Sequence, residues 1–283
     1  MSEAAVVVLT AAAGVPDAAA EAVAPFAAGP ARRLAATAVE VPVAAVPDGF
    51  AVAGCDVNLV PVAGRRKRLL LADMDSTIIA VECIDELADF AGVKTQVAAI
   101  TERAMRGELD FEGALIARVA LLRGLPESVL QRCYDERVRL NPGARTLVRT
   151  MARLGADTAL VSGGFTFFSE RVAAAAGFAA NSANRLIVAD GVLTGEVARP
   201  ILGRAAKLAA LRARTAALGV GAEAALAVGD GANDGAMVSA AGLGVAYRAK
   251  PALSAVADAR IEHSDLTALL ALQGIPEDDW AKG

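Results

Sequence analysis

Leu69-Leu70-Leu71-Ala72 is the segment that most restricts what this 283-residue chain can fold into. Its four apolar residues run without polar alternation between the basic cluster Arg65-Arg66-Lys67-Arg68 and the pair Asp73 and Asp75. A strand that is apolar on both sides must be covered on both faces, the condition met by parallel sheets with helices packed above and below. Two later segments repeat the pattern. Thr158 to Val161 ends at Ser162-Gly163-Gly164, and Ala224 to Val228 ends at Gly229-Asp230. Ala-rich helical stretches such as Arg171 to Ala176 and Ala205 to Ala217 separate them. The expected fold class is α/β, a doubly wound parallel sheet, with Asp73, Ser162 and Asp230 at the carboxyl ends of strands, where open α/β sheets gather ligand-binding groups.

The remaining segments divide around this sheet. Between residues 82 and 140 the apolar positions Ile84, Leu87, Ala88 and Ala91 recur at steps of three and four, so 82–140 is expected to be a helical cap inserted into a core of residues 66–81 and 141–283. Residues 1–65 carry a strand-like Ala4 to Leu9, a helical Ala18 to Phe26 and a strand-like Val39 to Val46, the pattern of a small α/β accessory domain. The apolar run Ala4 to Val15 meets Pro16 and Asp17 too early to span a bilayer, and a cytoplasmic location is expected. With 21% charged residues and a net charge of -4, no basic field favours nucleic acid or an anionic membrane, which leaves a small-molecule substrate as the expected partner. A homodimer is one assembly open to such a chain. Cys55, Cys83 and Cys133 are odd in number and lack CxxC spacing, which fits reduced thiols rather than a disulfide framework or a zinc site. His263 is the single histidine, which disfavours Ser-His-Asp chemistry and multi-histidine metal sites. Carboxylates must therefore carry any acid-base work.

Asp73 and Asp75, one residue apart at a strand end, point the same way if the extended conformation continues. Such a pair repels itself unless a proton or a cation intervenes. A hard divalent ion held by oxygen ligands would neutralise both carboxylates and an incoming phosphate dianion. Asp73 could then attack phosphorus as a nucleophile, and Asp75 could protonate the leaving alkoxide and later activate water. Ser162 supplies a hydroxyl, and the glycines after it let backbone N–H groups approach phosphate oxygens. Asp230 and Asp234 offer a second carboxylate pair for a metal and for the group that orients its ligand. Lys207, on the helix before the third strand, could offset charge on the phosphate. Each of these residues alone is equally at home in a surface turn or a solvated face; the three strand ends together favour a phosphate site.

In this order the segments resemble the haloacid dehalogenase superfamily, and within it the phosphoserine phosphatases, over about residues 69–273. The resemblance rests on Asp73-Met-Asp75-Ser-Thr-Ile-Ile with Glu82 following, Phe111-Glu-Gly-Ala-Leu-Ile-Ala-Arg118, Val161-Ser-Gly-Gly-Phe165, Lys207, Gly229-Asp-Gly-Ala-Asn-Asp234 and Gly244-Val-Ala-Tyr-Arg-Ala-Lys250-Pro251. It implies a Rossmann-like core, an aspartyl-phosphate intermediate and bound Mg2+. By that resemblance Asp73 and Asp230 bind the metal through side chains and Asp75 through its backbone carbonyl, while Ser162, Gly163 and Lys207 hold phosphate and Asn233 and Asp234 complete the site. Glu82 would meet the substrate ammonium, Arg118 its carboxylate, and Met105 with Phe111 would form an apolar wall. A zwitterion bearing phosphate needs such a division, and arginine's fork suits a carboxylate. The implied reaction is hydrolysis of O-phospho-L-serine to L-serine and phosphate, the last step of serine biosynthesis. The alternatives are a phosphotransferase passing the group to another alcohol, or an inactive regulator that binds amino acids or phospho-ligands. Two departures stand out: Gly235-Ala236 where relatives have Leu-Pro, and Leu202-Gly203-Arg204 before Lys207. Related bacterial enzymes carry ACT-like regulatory domains at the N-terminus, and residues 1–65 match that pattern weakly.

Overall fold

Val-rich segments punctuated by Pro and Gly build residues 5–61 around an antiparallel sheet. The computed structural model describes residues 4–106 and 108–282, with the side chain of Met105 outside that description. Strand β1 (Ala5–Thr10) leads through helix α1 (Asp17–Val23) to β2 (Arg32–Ala35), β3 (Ala38–Val43) and β4 (Asp56–Pro61), paired in the order β2-β3-β1-β4. Alternation along β1 divides its side chains between two cores. Val7 and Leu9 pack with Ala19 and Val23 of α1, whereas Val6 and Val8 join the main core of the molecule.

β5 (Leu69–Ala72) is followed by a tight turn over Met74–Ile78 and then by four cap helices, α2 (Cys83–Phe90), α3 (Lys94–Met105), α4 (Phe111–Ala120) and α5 (Ser128–Arg137). The chain returns through α6 (Ala144–Arg153), β6 (Asp157–Phe165), α7 (Thr166–Ala176) and β7 (Ala180–Asn184). A hairpin of β8 (Leu186–Ala189) and β9 (Val192–Val197) precedes α8 (Arg204–Ala217). β10 (Ala225–Gly229), α9 (Gly235–Ala240), β11 (Leu243–Tyr247), α10 (Pro251–Ser254), β12 (Ala259–Ile261) and α11 (Ala268–Leu272) complete the chain.

Six strands form one parallel sheet in the order β12-β11-β10-β5-β6-β7. β5 is central, and all four of its residues are fully buried. Leu70 and Ala72 face one apolar core while Leu69 and Leu71 face another, which is why the run shows no polar alternation. Burying four such side chains contributes on the order of 1.5–3 kcal/mol for each leucine.

Two features of the fold lie beyond the sequence reading. The β8-β9 hairpin stands apart from the main sheet and supports the cap: Gly124 N–H donates to the Leu193 carbonyl at 2.8 Å, and Leu193 N–H to the Leu125 carbonyl at 2.9 Å. The antiparallel sheet is bound to the edge of the parallel one by side chains that stand in for a neighbouring strand. Asn58 on β4 donates to the Arg260 carbonyl at 3.0 Å and accepts from Arg260 N–H at 2.8 Å, while Asp56 accepts from Glu262 and His263 N–H. Pairing exposed strand groups in this way removes an edge that could recruit another chain. No helix among the described residues is long and apolar enough to cross a membrane.

Candidate active site

The order β10-β5-β6 makes the three strand ends immediate neighbours, so Asp230, Asp73 and Ser162 meet at one carboxyl edge. Asp73 still has extended backbone, but the strand stops there. The turn at Met74–Ile78 reverses the chain, with Ser76 in the left-handed region at φ 55° and Ile79 N–H donating to the Met74 carbonyl at 3.0 Å. The two aspartates consequently diverge instead of pointing the same way. Asp75 accepts from Cys83 N–H at 2.9 Å and from the Ser162 hydroxyl at 3.1 Å, and Asp73 turns toward Lys207.

Lys207 projects from the first turn of α8 and is 2% exposed. Its Nζ lies 2.6 Å from Asp73 Oδ1 and 2.5 Å from Asp234 Oδ1. Burial pulls the lysine's pKa down, yet the two carboxylates outweigh that and raise it above its ordinary value, which favours the ammonium form. Asp234 is fully buried and uses its second oxygen to accept from Asp230 N–H at 3.3 Å and Gly231 N–H at 3.1 Å. Its side chain leans over Gly229, where any Cβ would collide with it. This close approach explains the first glycine of Gly229-Asp-Gly.

Oxygens of Asp73, Asp230 and Asp234 lie within 4.8 Å of one another. One lysine cannot neutralise three carboxylates. Burial, then Asp234, raises the Asp73 pKa well above its ordinary value despite Lys207; burial, Asp234 and Glu82 push Asp230 to about 6. A divalent cation fits this donor set: hard oxygen ligands, a surplus of negative charge and little water. Since Asp234 already bonds Lys207 and two backbone N–H groups, it orients the cluster, and Asp73 with Asp230 are the side chains suited to coordinate. Thr77 steadies Asp230 with a hydroxyl 3.4 Å from its Oδ1. Asp75 also reaches about 6, raised by burial and then by Glu82 and lowered by the bonds from Cys83 and Ser162, which suits a group that must both give and take a proton near neutral pH.

The cap brings a second set of groups over this edge. Glu82 precedes α2, is exposed, and accepts from the Ser76 hydroxyl at 2.8 Å. Arg118 on α4 is half-buried, with Nε donating to the Ala114 carbonyl at 3.2 Å. Burial lowers its pKa while the charges of Asp85, Glu82 and Asp75 oppose the shift, which places the guanidinium within the field of both the cap and the core carboxylates. Phe111 bridges cap and core. A Cβ on Gly163 would sit 2.9 Å from its Cζ, and one on Gly203 would sit 3.0 Å from its Cδ1. The second contact gives the unusual Leu202-Gly203-Arg204 a physical reason, since a side chain at 203 would crowd the ring. Asn233 is half-buried with its side-chain oxygen against Gly231. The Met105 side chain lies outside the described residues. Gly235 opens α9, where a Cβ would meet nothing within 4 Å, so this departure from Leu-Pro has no steric requirement behind it.

A family model for haloacid dehalogenase-like hydrolases matches residues 70–239, which contain all three strand ends and the cap. The chain belongs to this family. It is 49% identical over 214 residues to phosphoserine phosphatase SerB2 of Mycobacterium tuberculosis, covering 76% of this chain and 52% of the relative. It thus spans about half the length of that protein. With a phosphoserine phosphatase of Idiomarina loihiensis it shares 46% identity over 202 residues, 71% of this chain and 91% of the relative. A solved phosphoserine phosphatase bearing a phospho-aspartyl intermediate analogue superposes with a TM-score of 0.67 at 41% identity, covering 72% of this chain and 98% of that one.

Three contributors to the site received no role from the sequence. Asn141, 8% exposed, donates to the carbonyls of Thr77 at 2.8 Å and Ile79 at 3.2 Å and so fixes the turn that separates Asp73 from Asp75. Thr77 and Ser76 act on Asp230 and Glu82 as described. Within the Asp-x-Asp-x-Thr run the hydroxyls were visible, but their partners lie up to 153 positions away.

Proposed function

We propose that this chain is a phosphoserine phosphatase, hydrolysing O-phospho-L-serine to L-serine and phosphate. The observation that carries the proposal is the meeting of two matched sets at one sheet edge: a buried carboxylate bonded to a lysine at the strand end, and the charges of Glu82 and Arg118 beside Asp75. The first set suits phosphoryl transfer; the second suits the ammonium and carboxylate of an amino acid. The similarity to relatives of that activity supports the same reading.

Asp73 is the nucleophile. Its carboxylate oxygen forms a bond to phosphorus as the bond from phosphorus to the serine oxygen breaks, and Asp75 delivers its proton to that oxygen. Asp75, now ionised, takes a proton from water, whose oxygen attacks the aspartyl-phosphate and frees Asp73 and inorganic phosphate. Ser162, Gly163 and Lys207 hold the phosphate oxygens, and Asn233 borders them. Mg2+, held by Asp73, Asp230 and the Asp75 backbone carbonyl, would supply the charge that keeps these carboxylates ionised and draws negative charge from phosphate. Phe111, packed against Gly163 and Gly203, forms the apolar side of the site, and water exclusion protects the acyl phosphate. The division into an accessory sheet over residues 1–65, a cap over 82–140 and the core between them is part of this proposal, as is a cytoplasmic setting.

The test is phosphate release with Mg2+ across phosphorylated metabolites. Phosphoserine should be preferred over sugar phosphates and nucleotides, and Asp73→Asn should lower turnover by at least about 1,000-fold. Preference for another ester class, or Asp73→Asn retaining activity, would overturn the assignment.

A further inference from the structure

Asn184 ends β7 and is 2% exposed, outside the segments on which the family resemblance rests. A buried amide needs partners somewhere. This one spends its bonds on two segments of the site. Nδ2 donates to the Gly163 carbonyl at 2.9 Å and to the Leu202 carbonyl at 3.2 Å, and Oδ1 accepts from Leu202 N–H at 2.7 Å. The pairing of β6 with β7 shifts between Val161 and Phe165, so Ser162, Gly163 and Gly164 bulge out of the sheet and lack ladder partners of their own. Asn184, opposite Phe165, stands where that bulge closes.

The Gly163 carbonyl and Gly164 N–H belong to one rigid peptide unit. Asn184 holds its carbonyl end. Its N–H end donates to the Ser162 oxygen at 2.8 Å, and the Ser162 hydroxyl in turn donates to Asp75 Oδ2 at 3.1 Å. An unbroken series of hydrogen bonds thus runs from Asn184 through the phosphate-holding loop to the acid-base carboxylate. The Leu202 bonds tie the same amide to the residue before Gly203, one turn ahead of Lys207 and beneath the Phe111 ring.

Resting on the phosphoserine phosphatase reading, we infer that Asn184 is a positioning residue that sets the phosphate-holding loop and, through Ser162, the Asp75 carboxylate. It acts through its bonds to Gly163 and Leu202. Its removal acts on the phosphate half of the pocket and leaves the amino-acid half, Glu82 and Arg118, unaltered.

Asn184→Asp is the informative change, because it keeps the shape and the acceptor for Leu202 N–H but turns an oxygen toward two carbonyls. Competitive inhibition by inorganic phosphate and by L-serine, the two products, separates the halves of the site. In Asn184→Asp, and in Asn184→Ala as a second variant, the phosphate inhibition constant should rise at least tenfold and kcat should fall at least tenfold, with the L-serine constant within twofold of wild type. Phosphate inhibition within twofold of wild type would overturn the inference. Equal weakening of both products would overturn it too, because that is the signature of a general structural role, and so would failure of both variants to fold. If the wild-type protein prefers a different ester, the functional reading fails; phosphate inhibition against that ester still tests Asn184.

Discussion

Replacing Lys207 by Met tests the electrostatic design of the site, because it removes the one buried cation among the described residues and keeps the length of the side chain. Two carboxylate contacts at 2.6 and 2.5 Å are lost. At an effective dielectric constant of about 20, each such contact is roughly 6 kcal/mol of gross attraction, most of it offset by the cost of taking three charges out of water. The net effect of deleting one partner of a buried ion pair is about 3–5 kcal/mol, because a charge is left behind without compensation. Against a total stability on the order of 5–15 kcal/mol, that is a large fraction. With a urea slope of about 3 kcal/mol/M, the unfolding midpoint of the metal-free variant should drop by about 1–1.7 M at pH 8.

The pH dependence of that deficit identifies its cause. The Asp73 pKa is already raised by burial and held back by Lys207, so losing the lysine raises it further above its unfolded value. A carboxylate with a raised folded pKa destabilises the fold when ionised; the penalty is complete above the folded pKa and disappears as pH falls toward the unfolded value. The deficit of Lys207→Met should therefore shrink as pH is lowered from 8 toward 5, and adding Asp73→Asn to the variant should recover part of it at pH 8. A deficit under about 1 kcal/mol at pH 8, one that does not change with pH, or no recovery with Asp73→Asn would refute the reasoning.

Magnesium affinity should fall at least about tenfold per pH unit below 6, since Asp230 is pushed up to about 6, Asp73 is raised as well, and a protonated carboxyl is a poor ligand; magnesium titrations of activity at pH 5, 6 and 7.5 measure this. Arg118→Ala should raise KM for phosphoserine about 10–100-fold, the value of lost charge-assisted bonds, while p-nitrophenyl phosphate turnover changes by less than about threefold; steady-state kinetics on both esters distinguish recognition from chemistry. Gly164→Ala would put a Cβ 2.6 Å from Asp75 Oδ2 and 3.0 Å from the Ser162 oxygen, displacing the Asp75 carboxylate; with Asp75 as the proposed acid-base group, kcat should fall about 10–100-fold with native circular dichroism retained.

What the sequence determined by itself was the class of the sheet and which polar residues stand at its edge. Leu69 to Ala72 is apolar at every position because both faces are covered, and this local fact is written in four consecutive letters. Asp73, Ser162 and Asp230 were legible for the same reason, each lying directly after such a run. The tertiary structure decided the partners. Extended geometry places Asp73 and Asp75 side by side, but the turn fixed by Asn141 sends one to Lys207 and the other to Ser162. Gly203 looks like an irregularity until the cap sets Phe111 above it, and Asn184 is one more polar residue until the bulge in β6 gives its amide two segments to join. Local sequence records burial and strand ends because they repeat over a few residues. Hydrogen bonds between residues separated by 18 to 153 positions leave no such period, and only the folded chain brings their ends together.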